Sequence, residues 1–140
     1  MNIIEADFER DYAALRAVRF AVFVDEQQIP RDLEMDDRDV ECLHWLATDE
    51  RSEPIGTVRL DLRALGKIGR LAVLAPARGH GVGRALMARV HELARERGLA
   101  SVWCHAQISA APFYERLGYR VTSEPFEEAG IEHVKMEYAL

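Results

Sequence analysis

An α/β domain built on one mixed sheet is the fold class that the sequence predicts, and three observations predict it. Apolar side chains cluster in strand-length runs at 43–48, 55–63 and 67–75, joined by connections too short for anything but an antiparallel meander. Val82, Leu86, Val90 and Leu93 then recur at helical spacing, and another strand-length run, 100–106, comes after them. Strand, helix and strand in that order give a right-handed crossover, which places the fourth strand parallel to the third. The chain has 140 residues, 49% hydrophobic and 30% charged, enough for a single core. Residues 1–140 are therefore expected to form one domain.

Each element has a local reason. Phe8, Tyr12, Leu15, Val18 and Val22 follow Asp7 at helical spacing, so Asp7 is the expected N-cap of a helix reaching about Phe23. Pro30 separates it from a short acidic segment. The polar turn 49–54 and the corner at Gly66 join the meander strands. The helix 82–97 carries Arg95 and Arg97 near its C-terminus and stops at Gly98. A short helix at 110–117 and terminal strands at 119–122 and 133–138 complete the sheet.

The most informative segment is Arg78-Gly79-His80-Gly81-Val82-Gly83-Arg84, between the third strand and the long helix. A glycine-rich turn that opens a helix leaves backbone N–H groups unpaired and aims the positive helix end at one point, which suits a pyrophosphate. A P-loop would need Lys and Ser or Thr after its last glycine, but Arg84 and Ala85 follow Gly83. A dinucleotide fold would need G-x-G-x-x-G and an acid about 20 residues on. The spacing here is G-x-G-x-G, and no Asp or Glu occurs in 98–114. A plain strand-to-helix turn is the alternative reading, against which Arg78 adds a fixed cation beside the donors.

Arg78-x-x-Gly81-x-Gly83 resembles the acyl-CoA signature of the GCN5-related N-acetyltransferase (GNAT) superfamily. Ala110, Phe113-Tyr114 and Leu117-Gly118-Tyr119 resemble that family's second conserved segment. Arg19, Val22-Phe23-Val24, Glu26-Gln27, Ile29-Pro30, Glu34, Asp36, His44 and His105-Ala-Gln107 are similar to its ElaA/YjcF-like branch, as are Ser123-Glu-Pro125-Phe126, Gly130-Ile131 and His133-Val-Lys-Met136. The resemblance covers nearly the whole chain. It implies the GNAT acyl-CoA N-acyltransferase fold, in which the two parallel strands splay apart and the pantetheine arm pairs with free backbone groups, here of Leu71, Ala72 and Val73. It also implies pyrophosphate on the amides of Gly79, Gly81 and Gly83, with Arg78, His80, Val82 and Arg84 in the same loop. Val73 N–H would be the oxyanion donor. Phe113 and Gln107 would complete the cofactor site; Gln107 stands where many members carry Asn.

Acyl transfer to an amine needs an acid for the leaving thiolate and a base for the nucleophile. By resemblance Tyr114 is the acid, a phenol that keeps its proton at neutral pH; the alternative is a core aromatic. The base candidates are His105, which alternates with Cys104 on its strand, and the carboxylates Glu26 and Glu34. A structural histidine and solvated carboxylates are their alternatives. His44 and His133 are read as residues that cap strand ends.

The stretch 25–41 holds eight acids against Arg31 and Arg38, a local charge of −6 equal to the net charge of the chain. It reads either as a solvated loop or as an acidic lip that attracts cationic amines. The same net charge and the lack of a basic stripe exclude a general nucleic-acid binder. No run is apolar enough for a membrane span and the N-terminal residues carry no signal core, so a cytoplasmic protein is expected. Cys42 and Cys104 lack metal-like spacing, Cys104 is expected to be buried, and neither a disulfide nor a metal is expected. The resulting expectation is an acetyl-CoA-dependent N-acetyltransferase without a covalent intermediate, acting on an amine of a small molecule or peptide, with a homodimer left open. Two alternatives are an aminosugar N-acetyltransferase, which would need a phosphate pocket near Arg16, Arg19 or Arg59, and a non-catalytic acyl-CoA sensor.

Overall fold

Eight strands form one twisted sheet in a computed structural model that describes residues 1–140. They are β1 (Asn2–Ala6), β2 (Leu43–Thr48), β3 (Pro54–Asp61), β4 (Lys67–Val73), β5 (Ser101–Gln107), β6 (Arg120–Val121), β7 (Phe126–Glu128) and β8 (Ile131–Ala139). The spatial order is β1-β2-β3-β4-β5-β8-β6, with β7 also paired to β8. Helices α1 (Tyr12–Arg19), α2 (Arg31–Glu34), α3 (Val82–Glu96) and α4 (Ala111–Arg116) connect them. The predicted antiparallel meander is present as β2-β3-β4, and β4 pairs parallel with β5. β1 and β7 were not expected from the sequence. Neither is long, and β1 is half exposed at the sheet edge, so neither carries a strong alternation signal.

The start of the first helix differs from the expectation. Asp7 does accept a hydrogen bond from the Arg10 N–H (2.7 Å), but it caps a single turn, and α1 itself begins after Asp11. Beyond Arg19 the helix continues as a π-helical stretch, Phe20–Glu26, that ends at Gln27. Such wide turns shift the side-chain register.

Alternation splits the core in two. Val58, Leu60, Ile68 and Cys104 pack with α3 and α4 side chains, whereas Ala72 packs with Val18, Val22 and Phe23 of the first helix and its extension. The close approach of α3 explains Gly56: a Cβ there would lie 2.9 Å from Val82 Cγ1 and 3.1 Å from Leu86 Cδ1. Two irregularities shape the sheet near the site. Thr57 pairs with Ala72 and Arg59 with Gly69, so β4 carries an extra residue, and Arg70 takes a left-handed φ of 54° at this bulge. Parallel pairing with β5 stops at Ile68–Cys104, after which β4 and β5 part.

Candidate active site

The glycine loop is open where the sequence requires it to be. Gly79 and Gly81 have φ of 81° and 80°, and a Cβ built on either meets nothing within 4 Å. Glycine is needed there for backbone conformation and for access rather than for packing. Gly81 is the N-cap of α3 without a side-chain cap, and the first intrahelical bond is Ala85 N–H to the Gly81 carbonyl at 3.0 Å. The N–H groups of Val82, Gly83 and Arg84 are thus left for an outside acceptor. Gly83 is different, since a Cβ there would lie 3.3 Å from the Phe113 ring. Arg78 bends back from the loop, donating from Nε to the Val73 carbonyl (2.9 Å) and from Nη2 to Glu26 (2.7 Å).

Where β4 and β5 part, a cleft of about 570 Å³ opens. Leu71, Glu34, His105, Gln107 and Tyr114 line it, so five residues singled out in the sequence meet in one hollow. Glu26, Ala72, Val73 and Phe113 are not on its wall; Ala72 is buried under the first helix, and Glu26 belongs to the loop through Arg78. His80 and Val82 instead border a second hollow of about 470 Å³ beside Pro76 and Ala77. Gln107 donates to Gln27 across 2.7 Å, tying the end of β5 to the end of the π-helical stretch.

Two groups in the cleft have acid–base capacity. Burial, with a smaller push from Cys104, raises the Tyr114 phenol far above its usual range, so the proton stays on at neutral pH. His105 approaches Glu128 through Nδ1 at 3.0 Å, with the Phe126 ring edge-on at 4.8 Å between centroids. Burial pushes the Glu128 carboxyl up, but the His105 hydrogen bond and charge, with Lys67 and His133, bring it below the usual carboxylate range. Sequence reasoning missed Glu128. Its available signal was Gly130, which with Ala129 forms a two-residue turn of positive φ (52° and 76°) between β7 and β8.

Glu34 belongs to a buried ion network rather than to a free lip. Arg19, fully buried, donates to Glu34 Oε1 (2.8 Å), to Asp39 (2.8 Å) and to the Glu34 carbonyl (2.9 Å). Arg59 forks onto Asp36 (2.7 and 2.9 Å) and also reaches Asp39 (2.8 Å). Arg70 reaches Asp36 (3.1 Å) and lies 3.4 Å from Glu34, while Arg38 forks onto Asp61 (both 2.8 Å). Burial raises the carboxyls of Asp36 and Asp39, and the guanidiniums outweigh it, so both lie below their usual range. Arg19, Arg38, Arg59 and Arg70 thus balance Glu34, Asp36, Asp39 and Asp61 one for one. Three of the four cations come from outside 25–41, which is why the local count of −6 overstated the charge. Glu34 Oε2 alone is buried without a partner.

His44, His133 and the two cysteines are held within the fold. His44 is buried with Nε2 2.8 Å from the Asp39 carbonyl, and burial lowers its pKa. His133 bonds the Ile131 carbonyl through Nδ1 at 2.7 Å. Both cysteines are free and buried, and burial pushes the Cys104 thiol up to about 12.

The fold recurs in known proteins. The sequence model of the acetyltransferase (GNAT) domain matches residues 8–140. The uncharacterized N-acetyltransferase YjcF of Bacillus subtilis is 38% identical, the match covering 85% of this chain and 86% of YjcF. The crystal structure of Escherichia coli ElaA superposes with a TM-score of 0.84 at 28% identity, over 98% of this chain and 99% of that one. An acyl-CoA N-acyltransferase from Pseudomonas aeruginosa gives 0.82 at 29% identity, over 99% and 97% of the two chains. No helix is long and apolar enough to cross a membrane. A family model that spans nearly the whole chain, together with relatives aligned along most of their length, shows that this chain belongs to the GNAT acetyltransferase family.

Proposed function

We propose that residues 1–140 act as one catalytic domain that transfers an acetyl group from acetyl-CoA directly to a primary amine of a small molecule or peptide. The observation that carries this reading is the convergence of Tyr114 and His105 on the cleft between β4 and β5. The loop supports it from the other end, because Gly79 and Gly81 leave room for a pyrophosphate beside the free amides of α3. When bound, the donor supplies a thioester carbonyl open to attack by a neutral amine.

The chain's own residues then manage protons and position. Val82, Gly83 and Arg84 offer backbone N–H groups, with the Arg78 and Arg84 side chains beside them. Leu71, Ala72 and Val73 present the strand edge along which an extended, amide-bearing arm can pair; because only Leu71 lines the cleft that holds Tyr114 and His105, we assign the developing oxyanion to its N–H rather than to that of Val73. His105 takes the proton lost by the amine as its nitrogen bonds to the acyl carbon. Tyr114 gives its proton to the sulfur as the carbon–sulfur bond breaks, and recovers one from solvent. His105 is preferred to Glu34, whose Oε1 is held by Arg19, and to Glu26, which lies off the cleft and binds Arg78.

The aminosugar-phosphate alternative lacks its anion pocket. Arg19 and Arg59 are taken by carboxylates, and Arg16 stacks on Phe20 with its guanidinium carbon 4.2 Å from the ring centroid. The test is CoA release from acetyl-CoA across a panel of amines, amino acids, aminosugars and peptides, with Tyr114→Phe as the paired variant. With a competent acceptor, kcat should fall on the order of 10² in Tyr114→Phe while CoA affinity holds. An unchanged kcat would reduce Tyr114 to packing, and binding without turnover on the whole panel would favour a sensor.

A further inference from the structure

We infer that Glu128 is a positioning residue, one that fixes His105 in the tautomer protonated on Nδ1 and so leaves Nε2 as the basic nitrogen. The inference deepens the acetyl-transfer reading and rests on His105 being its base. Nδ1 lies 3.0 Å from Glu128 Oε1, and a carboxylate only accepts hydrogen bonds, so the proton on that edge of the ring belongs to the histidine. A neutral imidazole carries a single proton. With Nδ1 holding it, the lone pair is on Nε2, the state a base needs.

The fold fixes the backbone that carries Glu128, while its side chain stays 47% exposed. β7 pairs with β8 through Phe126–His133, Glu127–Glu132 and Glu128–Ile131, and the Ala129–Gly130 turn closes the hairpin immediately after it. Phe126 stacks on His133 and meets His105 edge-on, which holds the hairpin against β5. The same carboxylate has His133 Nε2 3.8 Å from its other oxygen. The charges nearest this face are Lys67 from β4 and Lys135 from β8, the ladder partner of His105, both over the Trp103 ring at 5.2 and 4.8 Å from its centroid.

The experiment reads the ring directly and does not need the acceptor. Long-range ¹H–¹⁵N spectra of the ¹⁵N-labelled full chain would be assigned by loss of the His105 signals in His105→Gln, and followed across pH in Glu128→Gln and Glu128→Ala. In the wild type the neutral ring should be the Nδ1–H form, the opposite of the usual preference of histidine in solution. Glu128→Gln keeps an accepting oxygen but no charge, so the tautomer should persist. Glu128→Ala should shift the ring toward the Nε2–H form. Where an acceptor is in hand, Glu128→Ala should lose about tenfold in kcat/KM at neutral pH, and Glu128→Gln should recover most of it. An Nε2–H ring in the wild type, or a tautomer unchanged in Glu128→Ala, would overturn the inference. The base assignment fails separately, through an unchanged low-pH limb of the rate profile in His105→Gln.

Discussion

Replacing Arg19 by Met should show what the buried ion network contributes. Met fills a similar volume but removes four hydrogen bonds and the only cation within reach of Glu34 Oε1 besides Arg70, at 3.4 Å. Asp39 keeps Arg59 and loses one of its two guanidiniums. Removing one partner of a buried ion pair typically costs about 3–5 kcal/mol, because a desolvated charge stays behind. Domains of this kind are stable by roughly 5–15 kcal/mol in total, so the loss is large but survivable. Urea unfolding at pH 7 and near pH 3 is the assay. Arg19 and Arg59 depress the Asp39 carboxyl in the folded state, so its contribution is complete above the unfolded value of about 3.9 and is lost as pH falls through the folded value. In Arg19→Met the depression is weaker, so the gap between variant and wild type should narrow in acid. Arg19→Met, Asp39→Asn should recover part of the loss at pH 7. A destabilisation below about 1 kcal/mol at pH 7, or a gap that widens in acid, would refute the view that these carboxylates need Arg19.

Three further outcomes are expected. Acetyl-CoA at about 100-fold over Kd should stabilise the fold by about 2.7 kcal/mol in thermal unfolding, and Gly81→Val, forcing a β-branched residue to φ 80°, should abolish the shift. Burial, aided by Arg95, lowers the His91 pKa to about 4, so between the unfolded value of about 6.5 and about 4 the unfolded chain binds more protons and stability should fall with acid by about 3 kcal/mol; His91→Gln should flatten that slope in urea titrations. Because the acids that line the cleft are internally balanced, kcat/KM for a cationic acceptor should change less than about twofold between low salt and 0.15 M, where a net acidic lip would give a steep decline.

What could be read in the sequence follows from the range of the interactions involved. The meander, α3 and the glycine loop are set by local periodicity and turn chemistry, and these were legible. So was the meeting of Tyr114 with His105, through the resemblance rather than through spacing. The charge balance was not, because Arg19, Arg59 and Arg70 reach residues 34–39 from three other elements, and a count along the chain sees only neighbours in sequence. Glu128 was hidden for a similar reason. Its partner lies 23 residues away on another strand, and the strand that carries it has three residues. The bulge at Arg70 also breaks a rule that sequence reading depends on, since a β-branch-free but non-glycine residue sits at positive φ within a strand.

The brevity of the β4–β5 ladder has a mechanical consequence. Only Lys67–Trp103 and Ile68–Cys104 pair across this boundary, whereas β3–β4 and β5–β8 run nearly the length of their strands. The sheet therefore behaves as two stiff plates riveted at one end. A small rotation about that rivet widens or narrows the wedge between Leu71 and Gln107 without rupturing any bond inside either plate. The Gln107–Gln27 contact spans the open end and acts as a detachable strut. The width of the wedge thus depends on a two-pair seam, on one side-chain hydrogen bond and on the α3 side chains that pack across both plates, while each plate retains its own rigidity.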